Sequence, residues 1–515
     1  MCIVSSRPLA ACSPASPALG AAPRFLPPPW DERHPRWQEL DARLAPGHLA
    51  RRIAAGVALL DLRPLFDSYG GTGSLPYRPD LLLAVVLYEL QCGRARPADW
   101  DRAARESEPA RWLARGYEPS RARWYAFRDR LAPFVDAWHR QVLQAALHDG
   151  RTPATRGALD GSTAAAQASR HRLVNQATLA RRLAQLDQAL GAAPAPPAPG
   201  WMAASPAGRR RQHRRYTQAR ERLAELQAHN QRRRREDRWP VEKVVVSLSE
   251  PEAALGRDKL KVYRPLYNVQ LLLDLDSPFI LGWEAFAQPT DAGTLAPLLA
   301  RTEAAVGHGV QALLVDAGYA SGPQLAEAEA AHVAVYAPWQ SNDYSGDRPG
   351  AQLPKSAFRW EEAEQTYTCP QGKRLVYEGR STEQRGEQVC VRLRYRCPPV
   401  HCRGCPLAAA CAKNPQAGRT LSRNLYEAEV ERLRQRMATP EGKALYRLRK
   451  QVVERAYADL KEHRGLRRFS GRGLRRVRTE VGLRVLAFNL VALLKGPVAV
   501  SAPRAGTATT EGIKT

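Results

Sequence analysis

The hydrophobic rhythm of the chain changes more than once. From residue 31 to about 150, apolar positions recur at intervals of three and four, the period of a helix with one buried face. "RPDLLLAVVLYEL" (Arg78–Leu90) is a strongly apolar stretch of this kind, and Asp80 stands in its first turn, where a carboxylate suits the helix dipole. "PADWDRAARESEPARWLARG" and "SRARWYAFRDRLAPFVDAWHRQVLQAALHDG" predict further helices, the latter with Ser120 as N-cap. The texture then changes. "RGALDGSTAAA" puts a short apolar segment directly before Asp160 and Gly161, predicting a buried strand that ends at the aspartate. Two helical stretches follow, "LVNQATLARRLAQLDQALG" and "RRRQHRRYTQARERLAELQAHNQRRRREDRW", with the flexible run "AAPAPPAPG" between them. Strand texture comes next, in "VEKVVVSLS", "YNVQLLLDL", "FILGWEAFA", "QALLVDAGYAS" and "HVAVYAP", with helical "AGTLAPLLARTEAAVGHG" between the third and fourth. Adjacent strands, a crossover helix and a buried strand predict a mixed α/β sheet.

Two helices close the pattern. In "LYRLRKQVVERAYADLKEH", Leu445, Leu448, Val452, Ala456 and Leu460 recur at helical spacing and predict the buried face. Beside them runs a second row, Tyr446, Lys450, Glu454, Tyr457 and Lys461. The last helix repeats Leu474, Val477, Val481, Val485 and Phe488 and reads as amphipathic. The implied division is a disordered lead over 1–30, a helical domain over 31–150 and the first part of a sheet-bearing core over 155–355. That core carries an Arg-rich helical insertion at 172–240. A Cys-rich insert at 356–425, C-terminal helices at 426–497 and a disordered tail at 498–515 complete it.

Composition adds a partner. The 515 residues exceed one ordinary core, so two or three domains are expected. A formal charge of +27, spread along the whole chain rather than held in one tail, points to nucleic acid. Arginine runs as dense as those between 209 and 235 repel one another unless phosphate lies alongside. No apolar run reaches transmembrane length, and the N-terminus lacks a basic segment before a continuous apolar one, so a cytoplasmic protein that makes no use of membrane is expected. Nine cysteines are present, six of them between Cys369 and Cys411, which in a reducing compartment suggests metal before disulfide.

The chemistry follows from three carboxylates. Asp160 and Asp316 each follow an apolar strand segment and precede a glycine, and strand ends of an α/β sheet converge on a crevice. Two aspartates that close raise each other's pKa unless a cation lies between them, and Mg²⁺ is the natural cation for oxygen ligands beside phosphate. Glu454 on the penultimate helix would complete a two-metal site, with Lys461 and Tyr446 on the same helix reaching phosphate. Blander roles compete: an aspartate after a strand can form a turn, and Glu454 can pair with Lys450 or Lys461 on an exposed face.

These same residues resemble the DDE transposases of bacterial insertion sequences, which have a ribonuclease H-like core. "YRPDLLLAVVLYELQCGRARPADWDRAARES", "LDGST", "SEPEAALGRDKLKVYRPLYNVQLLLD", "QPTDAGTLAPLL", "VDAGYAS" and "YRLRKQVVERAYADLKEHRGLRRFSGRGLRRV" occur in the family's order and cover most of residues 75–495. The resemblance implies an α/β fold: a ribonuclease H-like mixed sheet flanked by helices, with an all-α N-terminal domain and a small Cys-rich insert. It implies Asp160, Asp316 and Glu454 as the triad holding two Mg²⁺ or Mn²⁺ ions. Tyr446, Arg449 and Lys461 take the other positions of the helix signature and contact DNA or phosphate. Ser162 stands where threonine is common. Arg449 stands one residue too far from Glu454, and Lys450 at the customary distance, so either can serve. Asp291 is a fourth acidic residue, for which a capping role is expected ahead of proximity to the site. The implied activity is binding of terminal inverted repeats, metal-dependent strand cleavage and strand transfer. Its partners are double-stranded DNA (element ends and target) and, because two ends are held together, a second copy on DNA in the nucleoid. Alternatives are a plain Mg²⁺-dependent endonuclease and an inactive DNA-binding remnant; no stacking-aromatic module favours RNA.

In the insert, Cys402 and Cys405 form C-x-x-C, the spacing with which two thiolates grip one tetrahedral Zn²⁺. Cys369 and Cys411 are the expected further ligands, with Cys397 or His401 as substitutes, and Cys390 reads as a packed strand residue. Relatives carry such an insert too. Its role is structural, because four thiolates leave no open position for chemistry.

Overall fold

The computed structural model describes residues 24–495 apart from 71–72, 192–197, 234, 259–260, 340–351 and 386–387. The expected lead and tail therefore fall outside the described residues, except for 24–30. That stretch is packed rather than loose. Trp30 is buried under the Arg111 guanidinium, and its N–H donates to Arg115 O at 3.0 Å.

Eight helices come first: α1 (Pro35–Arg43), α2 (Leu49–Ala58), α3 (Arg63–Asp67), α4 (Pro79–Gln91), α5 (Pro97–Glu106), α6 (Glu108–Ala114), α7 (Arg121–Leu131) and α8 (Val135–His148). Proline at the first positions of α4 and α5 starts each without wasting a donor. Next come β1 (Arg156–Ala165), β2 (Leu173–Val174), α9 (Gln176–Gly191), α10 (Pro206–Arg232) and β3 (Val246–Ser247). The stretch "VEKVVVSLS" thus supplies a two-residue strand instead of a long one, after a 3₁₀ turn at Val241–Lys243. Among the described residues β2 and β3 pair with each other alone, at the foot of the α9–α10 hairpin.

The main sheet is built from β1, β4 (Ala254–Arg257), β5 (Tyr263–Asp274), β6 (Ile280–Phe286), β7 (Ala312–Leu314) and β8 (Ala334–Tyr336), with α11 (Leu295–Val306) crossing between β6 and β7 and α12 (Gly322–Ala330) between β7 and β8. Its order is β4-β5-β1-β7-β8, with β6 also on β5. β1, β5 and β6 run antiparallel, whereas β1, β7 and β8 run parallel. This is an α/β architecture with a mixed sheet and flanking helices. A second, antiparallel sheet follows in the order β13-β12-β11-β10-β9, from β9 (Arg359–Glu361), β10 (Thr366–Thr368), β11 (Arg374–Arg385), β12 (Gln388–Arg396) and β13 (Thr420–Asn424). The one-turn helices α13 (Pro399–Cys402) and α14 (Ala408–Cys411) interrupt it.

The chain ends in α15 (Glu427–Ala438), α16 (Pro440–Ala458) and α17 (Leu474–Leu493). The sequence marks α17 as amphipathic, yet it is buried nearly all round. It lies between the N-terminal helices α2, α4 and α8 on one side and β6 on the other. Val477, Val481, Val485, Leu486 and Leu490 are fully enclosed, each contributing about 1.5–3 kcal/mol. Arg484 survives inside by pairing with Glu480 at 3.1 Å. One continuous hydrophobic core consequently joins the first eight helices to the main sheet, and smaller cores sit in the α9–α10 hairpin and the second sheet. Among the described residues no helix is long and apolar enough to cross a membrane.

Candidate active site

β1 does not stop at Asp160. It runs on through Gly161 to Ala165 and pairs with β5 along its length, Asp160 opposite Leu271 and Gly161 opposite Gln270. The glycine is there for space rather than for a turn. A Cβ on Gly161 would stand 2.2 Å from Gln270 Nε2 and 2.4 Å from Asp291 Oδ1. Asp160 and Ser162 face one side of the sheet, and Gly161 faces the other.

α16 covers the Asp160 side. Thr439 caps it, its Oγ1 accepting from Gly442 N at 3.0 Å. Its buried stripe is rotated from the one the leucine spacing predicts. Leu448 is exposed, while Val453 and Tyr457 are buried and Leu460 is buried in the π-turn that follows at Asp459–His463. Polar contacts set the rotation. The Tyr457 hydroxyl donates between two backbone carbonyls, Asp160 O at 2.8 Å and Val269 O at 2.9 Å. Arg449 Nη2 donates to Asp160 Oδ1 at 2.9 Å. Lys461 Nζ reaches Ser162 Oγ, two residues along β1. Of the two signature candidates, Arg449 thus faces the aspartate and Lys450 is exposed. Glu454 lies on the exposed edge of α16, and its carboxylate makes no hydrogen bond or ion pair with another described residue.

Asp316 follows β7. The parallel register pairs Ala158 with Leu314, and two residues beyond that pair stand Asp160 and Asp316. Asp316 Oδ1 accepts from Gly318 N at 2.8 Å, which closes the 3₁₀ turn Ala317–Tyr319. Asp291 is not a cap: its Oδ1 accepts from Asn268 Nδ2 at 2.8 Å and from Gln270 Nε2 at 2.6 Å. The Tyr319 hydroxyl donates to Gln270 Oε1 in the same cluster. Burial pushes the Tyr319 hydroxyl well above its ordinary pKa, and the nearby charges of Asp291, Asp160 and Asp316 push it further. Tyr446 is raised by burial as well; Arg449 opposes the shift, and Asp316 and Asp160 add to it. Asp160 and Asp316 thus converge on the same two tyrosines, with Asp291 close to one of them and Glu454 outside the group. Sequence reading missed Tyr319, Gln270 and Asn268. For Asn268 and Gln270 the signal was present, as polar residues alternating with Val269 and Leu271 in a buried strand demand partners.

The cysteines form a second cluster, in the core of the second sheet. Cys397 and Cys402 are buried there, and Cys369 and Cys411 pack against them. Burial, with a hydrogen bond to Cys402, pushes the Cys397 thiol up to about 12. Cys397 neighbours Cys402, Cys369 and Cys411, while Cys411 neighbours Cys402, Cys369 and Cys405. The Lys373 N–H donates to Cys369 Sγ at 3.3 Å. Cys390 lies on β12, and its side chain falls outside the described residues. Among the described residues no group of three or more His, Cys, Asp or Glu stands in an arrangement that could hold a metal ion. The donor chemistry nevertheless fits at both places. Thiolates suit Zn²⁺, and the carboxylates around Tyr319 make a negative field that a hard divalent cation relieves.

No curated protein and no solved structure matches the chain. Residues 368–494, about a quarter of the chain, match a family described as a transposase DDE domain. The matched segment holds the cysteine cluster, α16 and α17, while Asp160 and Asp316 lie outside it. It supports a transposase-type function in general.

Proposed function

We propose that the protein is a DDE transposase of the insertion-sequence type that binds terminal inverted repeats, cuts DNA at them and joins the ends to target DNA. One observation carries the reading: Asp160 on β1 and Asp316 just past the end of β7 stand two residues beyond the same pair of neighbouring parallel strands, beneath α16 and its π-turn, which aim Arg449 and Lys461 at β1. The strand order β6-β5-β1-β7-β8, antiparallel as far as β1 and parallel beyond it, with β4 added antiparallel on β5, supports a ribonuclease H-like core. Asp160, Asp316 and Glu454 would hold divalent ions, Mg²⁺ or Mn²⁺, which supply Lewis acidity toward a phosphodiester. In this reading Glu454 comes in from the exposed edge of α16 once DNA is bound. Arg449 offsets the aspartate charge meanwhile, Lys461 holds a phosphate as a point charge, and Tyr446 positions the strand. Structural Zn²⁺ on Cys369, Cys402, Cys405 and Cys411, with Cys397 as an alternative ligand, would staple a small sheet whose apolar core is thin. A dimer holding two ends in the nucleoid completes the proposal.

The test is metal-dependent nicking and strand joining on labelled end DNA. Asp160→Ala, Asp316→Ala and Glu454→Ala each should lose both activities and still bind DNA. Residual metal-dependent nicking by Asp316→Ala would overturn the site. Nicking without joined products in the parent protein would leave a plain endonuclease.

A further inference from the structure

Beyond the carboxylates, β1 leads into a cavity of about 410 Å³ bounded by Arg170, His171, Arg264, Arg468 and Arg472 and by the backbone from Ala165 to Ser169. None of its lining residues is acidic. The loop after α16 builds one wall. Ala165 N donates to Arg467 O at 2.9 Å and Phe469 N donates to Ala165 O at 2.9 Å, so this loop is stitched to the end of β1. Backbone carbonyls aim the guanidiniums. Arg468 Nη2 donates to Ala168 O at 3.2 Å and Arg472 Nε to Gln167 O at 3.0 Å. Two carboxylates stand behind the wall: Asp258 pairs with Arg264 at 3.0 Å, and Glu250 feels the charge of Arg472. Arg170, Arg468 and Arg472 remain exposed. Arg468 also lines a second cavity of about 290 Å³ with Arg94, Arg96 and Arg467, where Asp99 is the one acidic lining residue, so a mainly cationic surface continues past the first.

We infer that this arginine cavity is a binding site for a phosphodiester of the DNA strand running away from the carboxylates. The inference rests on the DNA reading above. Cations follow β1 in sequence: Arg449 at Asp160, Lys461 at Ser162, then Arg468 at Ala168. Asp160 and Ala165 are five residues apart on one strand, about 17 Å at the rise of an antiparallel strand. A duplex lying along β1, which advances about 3.4 Å per base pair, would meet the cavity about five base pairs from the reacting bond. Forked guanidiniums held by carbonyls and left open to solvent match phosphate oxygens, which accept two parallel N–H bonds. The contact is to backbone, so it fixes the position of the duplex without reading its sequence.

The experiment is fluorescence anisotropy of the full chain on a random-sequence duplex of about 40 base pairs over a range of salt, where each lost phosphate contact lowers the log–log slope by about 0.9. The double variant Arg468→Ala/Arg472→Ala should bind tenfold or more weaker, with a slope lower by about two contacts. Arg468→Lys/Arg472→Lys should keep most of the slope. Arg170→Gln tests one contact in case the double variant fails to fold, since among the described residues its side chain bonds only to the adjacent His171. A parent protein that binds no duplex would remove the DNA reading itself. A parent that binds, with variants of unchanged affinity and slope, would overturn the cavity alone. Variants that lose binding of inorganic phosphate, followed by thermal shift, yet keep the DNA slope would also overturn it in favour of a free-phosphate site.

Discussion

At the scale of the residue, the site depends on an atom that is missing. Gly161 sits between Asp160 and Ser162, and its place beneath β1 is filled by the amide of Gln270 and the carboxylate of Asp291. Gly161→Ala would drive a methyl into that cluster and press on Tyr319, whose hydroxyl is 2.9 Å from the same point. Overpacking of a tight interior costs about 1–3 kcal/mol, so urea unfolding should report a loss of that size, accompanied by loss of nicking. Unchanged stability would mean that Asp291 and Gln270 swing away freely. The same glycine shows how sequence can mislead. "LDGS" reads as a strand end because Asp–Gly is turn chemistry, and one chain cannot reveal that another strand's polar side chains need the space.

At the scale of the element, α16 shows what periodicity can and cannot supply. The helix and its place near the end of the chain were readable, but the row Tyr446, Lys450, Glu454, Tyr457 and Lys461 does not hold together, since Lys450 and Glu454 are exposed while Tyr457 is buried. The direction the helix faces was not readable, because counting apolar residues assigns Leu448 to the core, whereas two buried carbonyls and a carboxylate rotate Arg449 and Tyr457 inward. Strand order was half readable. The β5–β6 hairpin and the α11 crossover follow from local pattern, but the burial of α17 between the N-terminal helices α2, α4 and α8 and β6 depends on partners hundreds of residues away. Tyr457→Phe isolates the polar part of this docking, since it keeps the ring and removes the donor shared by Asp160 O and Val269 O. A stability loss of about 1–2 kcal/mol is expected, together with weaker cleavage at unchanged DNA affinity. Full activity in Tyr457→Phe would show that apolar packing alone fixes α16.

At the scale of the whole molecule, the α9–α10 hairpin is built as a detachable part. Its core of Leu179, Leu183, Leu186, Tyr216, Ala219 and Leu223 is separate from the main core. Its ends are neighbours, because Val174 pairs with Val246 and Leu173 with Ser247. Replacing residues 175–245 with a two-residue Asn-Gly turn should therefore close a short ribbon without pulling on β1 or β4. The main core is untouched by this excision, so cooperative unfolding and a melting temperature close to that of the parent are expected. DNA binding should change sharply. Arg181, Arg210, Arg211, Arg214 and Arg220 are all exposed on the hairpin, and each that meets a phosphate adds about 0.9 to the salt slope. The shortened protein should bind duplex more weakly and with a shallower slope, while the carboxylates, still framed by β1, β7 and α16, keep metal-dependent nicking at saturating protein. A shortened protein that binds as tightly as the parent would assign the arginine-rich helices to something other than DNA; one that binds normally but no longer nicks would make the hairpin part of the active site.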